Sequence, residues 1–177
     1  MSEKIRLATV WLDGCSGCHM SLLDTDERLI DIARRVTVVW GPLVDHKEFP
    51  ENVDVALVEG AISSEEDLHR IRIVRARTKI LVSLGDCAVT SNVPGMRSPI
   101  GTLPILQRAY VENVTVNPGI PTEVVPKLLP KAMPVHRVVE VDVFLPGCPP
   151  SADLIHGLLL DLLDGREPED RGARFGR

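Results

Sequence analysis

Ile5-Arg6-Leu7-Ala8-Thr9-Val10-Trp11 is an apolar run that passes almost at once into Gly14-Cys15-Ser16-Gly17-Cys18. The same order, a strand-like run and then a short cysteine loop rich in glycine or proline, recurs twice. Lys79 to Leu84 leads into Gly85-Asp86-Cys87, and Val138 to Leu145 leads into Pro146-Gly147-Cys148-Pro149-Pro150. Near-continuous apolar strands mark a parallel sheet covered on both faces. In such sheets ligands bind beyond the carboxyl ends of the strands. One topological rule therefore gathers cysteines that lie 69 residues apart (18 to 87) and 61 residues apart (87 to 148).

The segments between these runs fit the same plan. Leu22, Leu23, Leu29, Ile30 and Ala33 predict the apolar face of a helix from about Ser21 to Arg34. Asp24, Asp26 and Glu27 near its start and Arg34-Arg35 at its end suit the helix dipole. Val36 to Trp40 reads as a second strand, ended by Gly41-Pro42, and Val53 to Val58 as a third. Ser63-Ser64-Glu65-Glu66 reads as a capping box with Ser63 as N-cap and Glu66 closing it. Leu68, Ile71 and Val74 mark the inward face of the helix that follows. Ser151 caps a last helix with Leu154, Ile155, Leu158, Leu159 and Leu162 on one face. The alternation predicts an α/β fold, a doubly wound parallel sheet in a single domain over 1–177.

Ser91 to Arg137 departs from the pattern, because it holds eight of the fourteen prolines. Proline removes ladder donors and interrupts helices, so this stretch is expected to be mostly irregular. It also carries Ile100, Leu103, Ile105, Leu106, Ile120, Val124, Val125, Leu128 and Leu129, more apolar residues than a disordered linker holds. It reads as a docking segment, ordered against a partner or against the domain's own sheet.

A chain of 177 residues can bury a full core without staples. A net charge of −5 argues against a nucleic-acid partner. Met1-Ser2-Glu3-Lys4-Ile5-Arg6 lacks the apolar region of a secretory signal, and no apolar stretch approaches the roughly 20 residues needed to span a bilayer. The expected location is cytoplasmic, where cysteines bind metal or do redox chemistry more often than they form disulfides. The charged tail from Asp164 to Arg177 reads as a solvated terminus or a partner contact.

Cys15, Cys18, Cys87 and Cys148 are the only cysteines. Structural zinc usually shows two Cys-x-x-Cys hooks, whereas this chain has one hook and two isolated cysteines. On spacing alone the set suits a [4Fe–4S] cluster first, with zinc and a buried or catalytic thiol site as the other readings. Gly14 and Gly17 are expected to let backbone N–H groups approach the sulfurs, and Pro149-Pro150 to stiffen the loop after Cys148. His46, His69, His136 and His156 show no paired metal spacing and read as solvated or hydrogen-bonded. Glu59, at a strand end, is placed to bond a cysteine loop or to sit on a proton route.

Trp11-Leu12-x-x-Cys15-Ser16-Gly17-Cys18-His19-Met20-Ser21-Leu22-Leu23-Asp24 closely resembles the N-terminal signature of nickel–iron hydrogenase small subunits. So do Glu59-Gly60-Ala61-Ile62, Gly85-Asp86-Cys87-Ala88 and Pro146-Gly147-Cys148-Pro149-Pro150, in the same order along nearly the whole chain. The resemblance implies a flavodoxin-like domain whose Cys15, Cys18, Cys87 and Cys148 hold one proximal [4Fe–4S] cluster, facing a nickel–iron site in a separate large subunit. Gly14, Gly17, His19, Glu59, Asp86 and Gly147 would surround it. His19 and Asp86, next to Cys18 and Cys87, are candidates for charge tuning, or else surface residues. No residue of this chain would break bonds.

Departures from the family narrow the expectation. Uptake enzymes add a Tat leader and a second domain with ligands for two further clusters. The complex I cluster subunit carries adjacent cysteines where this chain has Cys15-x-x-Cys18. Membrane-bound energy-converting enzymes typically show Cys-Asn-Gly-Cys-Asp in the first motif. The version here resembles the small subunit of cytoplasmic bidirectional, NAD-reducing hydrogenases. That implies diaphorase partner subunits carrying further iron–sulfur clusters, FMN and NAD. The fold class also admits FMN at the strand ends, but the cysteine loops occupy that position and aromatic content is only 3%, so no flavin is expected in this chain.

Overall fold

A computed structural model describes residues 4–168. The chain runs through β1 (Ile5–Trp11), α1 (Gly17–Leu23), α2 (Arg28–Arg35), β2 (Val36–Trp40), β3 (Val53–Glu59), β4 (Ile62–Ser64), α3 (Glu65–Ala76) and β5 (Thr78–Leu84). It continues through α4 (Asp86–Thr90), α5 (Asn92–Gly95), α6 (Thr102–Gln107), a π-helical turn (Arg108–Glu112), β6 (Leu128–Met133), a 3-10 turn (Val135–Arg137), β7 (Val143–Leu145) and α7 (Ala152–Leu163).

Five strands pair in parallel in the order β2-β1-β3-β5-β7. Counted within the sheet, this is the flavodoxin-like order 2-1-3-4-5, with its switch point between β1 and β3. Side chains alternate along each strand and so build two cores. Leu7, Val55, Leu57, Val82 and Leu84 pack with Leu22, Ile32, Ile155, Leu158 and Leu159 on the α1, α2 and α7 side. Ala8, Val10, Ala56, Val58 and Leu81 pack with Ile71, Val74 and Ala88 on the α3 and α4 side. The predicted doubly wound α/β architecture is the observed one.

Several boundaries differ from the sequence reading. The helix expected from Ser21 to Arg34 is two helices, broken between Leu23 and Arg28. At the break the Thr25 hydroxyl donates to Leu22 O at 2.7 Å, and Asp26 takes a positive φ of 51°. The side chain competes with the backbone ladder there. Ile32 joins the core, whereas Leu23 and Ile30 are about half exposed. The N-cap of α3 is Ser64, not Ser63. The Ser64 hydroxyl accepts from Asp67 N at 3.1 Å and Asp67 Oδ2 accepts from Ser64 N at 3.0 Å, while Glu66 pairs with Arg70.

The strand expected from Val138 to Leu145 pairs only at Val143–Leu145. Val138, Val139 and Val141 instead pack against the α3-side core, and Asp142 turns its carboxylate onto Leu81 N at 2.7 Å. The proline-rich stretch is more ordered than expected. β6 pairs antiparallel with β4, and Arg97 bridges Leu129 O and Ser63 O, both at 2.9 Å. Residues 113–127 form no helix or strand. No helix among the described residues is long and apolar enough to cross a membrane. Of the charged tail, residues 169–177 lie outside the described residues.

Candidate functional site

All four cysteines follow strands at the carboxyl end of the sheet: Cys15 and Cys18 after β1, Cys87 on α4 after β5, and Cys148 on the loop after β7. After β1, Leu12 N donates to Glu59 O at 2.9 Å, and Asp13 and Ala61 exchange backbone bonds of 3.1 and 2.8 Å. The chain is thereby held against the end of β3, at the sheet's switch point. Gly14 permits this contact, since a Cβ there would lie 3.2 Å from Gly60 Cα. The same Cβ position lies 3.6 Å from Glu59 Oε1. Gly17 does lie against a sulfur, with its Cβ position 3.2 Å from Cys15 Sγ. Cys15 is exposed, and Cys18 is buried on the first turn of α1.

The other two cysteine loops are stitched to each other and to α1. Asp86 N donates to Gly147 O at 2.8 Å, and Asp86 Oδ1 accepts from Gly147 N at 2.7 Å. Gly85 N donates to Leu145 O at 2.8 Å. The Ser21 hydroxyl donates to Pro150 O at 2.6 Å, tying α1 to the Cys148 loop. Gly85, at φ 80°, makes the closest approach, because a Cβ there would lie 2.2 Å from Cys18 Sγ.

The electrostatics reflect how near the sulfurs lie to one another. Burial pushes the Cys18 thiol well above the ordinary thiol range, and the negative potentials of Glu59, Cys87, Cys15 and Cys148 add to it. Burial also raises the Cys87 thiol, helped by Cys148, Cys15 and Glu59 and opposed by a hydrogen bond from the Val93 backbone amide. A metal centre relieves such a site, since metal replaces the proton on each sulfur. Glu59 is 2% exposed, accepts from His19 N at 2.9 Å and pairs with His19 Nδ1. His19 Nε2 is buried without a hydrogen-bond partner.

Each residue named from the sequence is therefore at the site, but with some changes of part. Asp86 is buried and staples the Cys87 loop to the Cys148 loop. His19 is half-buried, held against Glu59 by its amide and its ring. Gly147, at φ 142°, leaves no room for a Cβ beside Pro150. Gly85, Ser21 and Gly60 were read only as parts of motifs or helix, without a role at the site, and Asn92 was not singled out. Gly85 had a signal, since a glycine directly ending a strand suggests close backbone approach. His136 packs edge-on against Phe144, with ring centroids 5.8 Å apart.

The donor set fits an iron–sulfur cluster. The four thiols are unpaired and come from three segments of the chain. A cluster takes one thiolate on each of several irons and spreads its ligands wider than zinc, which draws four atoms to one centre at about 2.3 Å.

Residues 15–162 match the family described as NADH ubiquinone oxidoreductase, 20 Kd subunit. The chain belongs to this family. Among its relatives, the delta subunit of the NAD-reducing hydrogenase HoxS of Cupriavidus necator is 42% identical over 179 residues, covering 98% of this chain and 85% of that protein. A component of the F420-non-reducing hydrogenase vhu of Methanococcus voltae is 40% identical over 172 residues, covering 96% of this chain. This chain spans only 60% of that relative's length. A chain in the crystal structure of NAD+-reducing [NiFe]-hydrogenase in the H2-reduced state superposes with a TM-score of 0.90 at 39% identity, covering 94% of this chain and 95% of that one. The hydrogenase small-subunit resemblance read from the motifs is borne out.

Proposed function

We propose that this chain is the electron-transfer subunit of an NAD-reducing nickel–iron hydrogenase (H2 + NAD+ = NADH + H+), in which Cys15, Cys18, Cys87 and Cys148 hold one [4Fe–4S] cluster. The observation that carries the reading is that four free thiols all follow the carboxyl ends of parallel strands, in segments after β1, β5 and β7 that hydrogen bonds tie to one another. Such a cluster, when bound, accepts and releases one electron at a time. The protein's part is to set burial and hydrogen bonding around the sulfurs. Cys18 on α1 and Glu59 beneath it form the buried wall, while Cys15 and Cys148 face outward, toward the surface a partner would cover. Hydrogen is split at the nickel–iron site of a separate large subunit, and electrons leave to diaphorase subunits carrying further clusters and FMN.

The proline-rich segment is the proposed docking element. Val93, Met96, Ile100 and Leu103 are each more than half exposed, an apolar row beside the Cys87 loop. Val116 and Val124, within residues 113–127, are exposed as well. Limited trypsin digestion is expected to cut at Arg108 and Lys127 in the isolated chain and to spare both in the complex. Equal cleavage with and without the large subunit would sink the docking role.

The near-equal identity to the F420-non-reducing relative favours a second reading, a hydrogenase cluster subunit serving a different electron acceptor. Anaerobic purification of the intact assembly separates the two. The first reading expects a brown preparation with broad visible absorbance, hydrogen-dependent NADH formation, and co-purifying diaphorase subunits identified by mass. Hydrogen-dependent reduction of dyes without NADH formation would favour the second. A colourless, zinc-containing chain would overturn both.

A further inference from the structure

Ser91 and Asn92 both take positive φ, 71° and 22°, and turn the chain between α4 and α5. Side chains rarely adopt that conformation, and asparagine tolerates it better than most. The turn is firmly held, because Ser91 is buried, Ser91 N donates to Cys87 O at 3.0 Å and Gly95 N donates to Ser91 O at 2.9 Å. It delivers a donor to a sulfur of another loop: the Asn92 side chain donates from Nδ2 to Cys148 Sγ at 3.5 Å.

This bond matters because the Cys148 loop is poor in donors. Pro149 and Pro150 have no N–H, and the N–H of Gly147 is taken by Asp86. Asn92 supplies from another loop what the loop of Cys148 lacks. Reduction of a cluster adds negative charge that spreads onto its thiolate sulfurs. A hydrogen-bond donor there stabilises the reduced form more than the oxidised one.

We propose that Asn92 is a positioning residue that tunes the electron relay: its amide holds the Cys148 thiolate and raises the reduction potential of the cluster. This rests on the four-cysteine ligand set proposed above. Two variants of the intact assembly test it. Asn92→Gly keeps the backbone freedom of the turn and removes the donor. Asn92→Asp keeps the side chain's shape and places a carboxylate beside the sulfur.

The measurement is a redox titration followed by electron paramagnetic resonance, with iron content determined on the same samples. The expected result is undiminished iron and a lower midpoint. For Asn92→Gly the fall is about three- to tenfold in the reduction equilibrium, or roughly 30–60 mV at 59 mV per tenfold for one electron. For Asn92→Asp it is larger. Wild-type midpoints in both variants would overturn the proposal. So would loss of the signal from both, since the side chain would then hold the loop without tuning it. If only Asn92→Gly loses the cluster, the Asn92→Asp midpoint decides. The Cys148→Ser variant identifies the signal that belongs to this chain. If it changes no signal, the ligand set fails, and that outcome is distinct from an unshifted Asn92 midpoint.

Discussion

Gly85→Ala is expected to abolish iron incorporation into this chain and to destabilise its fold. The position has φ 80°, where an L side chain is strained by about 1–2 kcal/mol. The added methyl would also collide with Cys18 Sγ, 2.2 Å away, while Gly147 O at 3.4 Å would lie in ordinary contact. Cys18 cannot swing aside easily, because it is buried in α1 against Leu22 and the β5 and β7 ends of the core. Overpacking a filled interior adds about 1–3 kcal/mol, giving a combined destabilisation on the order of 2–5 kcal/mol. The checks are iron per chain in the anaerobically purified assembly and its thermal unfolding midpoint. Gly119→Ala serves as control, since its Cβ position meets nothing within 4 Å. Normal iron content in Gly85→Ala would mean that Cys18 need not occupy its observed place.

The strands buried on both faces could be read from the sequence almost residue for residue. β1, β3 and β5 are continuous apolar runs because helices cover both faces of the central sheet. That placed Cys15, Cys18 and Cys87 at strand ends without further information. β7 was overread because an apolar run has no period that separates a strand from a coil packed on a core. Val138, Val139 and Val141 pack on the core without pairing, and the Asp142 carboxylate takes the ladder donor of Leu81. The break after α1 depends on one hydroxyl at Thr25, and the shift of the α3 cap on which of two adjacent serines faces Asp67. Both are choices among near-equal local alternatives that tertiary packing settles. At the site, residue types carried the chemistry, but the stitching did not show. Ser21 to Pro150 and Asn92 to Cys148 span 129 and 56 residues and follow no spacing rule.

Cys148→Ser is expected to lower the iron content of this chain and to cut hydrogen-dependent NAD+ reduction by roughly 100-fold or more, beyond the 10–100-fold typical of disturbing a ligand's supporting contacts. A serine oxygen is a harder donor than a thiolate and stays protonated at neutral pH, so it is a poor replacement on iron. The substitution is also informative because the fold should survive it. Cys148 is exposed on this chain, and its loop is held by Asp86 to Gly147 and by Ser21 to Pro150, none of which involves the sulfur. The metal-free variant and metal-free wild type should therefore unfold at the same denaturant concentration, while only the wild type takes up iron and sulfide. A thiol catalyst at Cys148 would give a different pattern, with activity lost and iron unchanged. Full iron content together with wild-type NAD+ reduction would remove Cys148 from the ligand set and leave the remaining three thiols too few for the proposed cage.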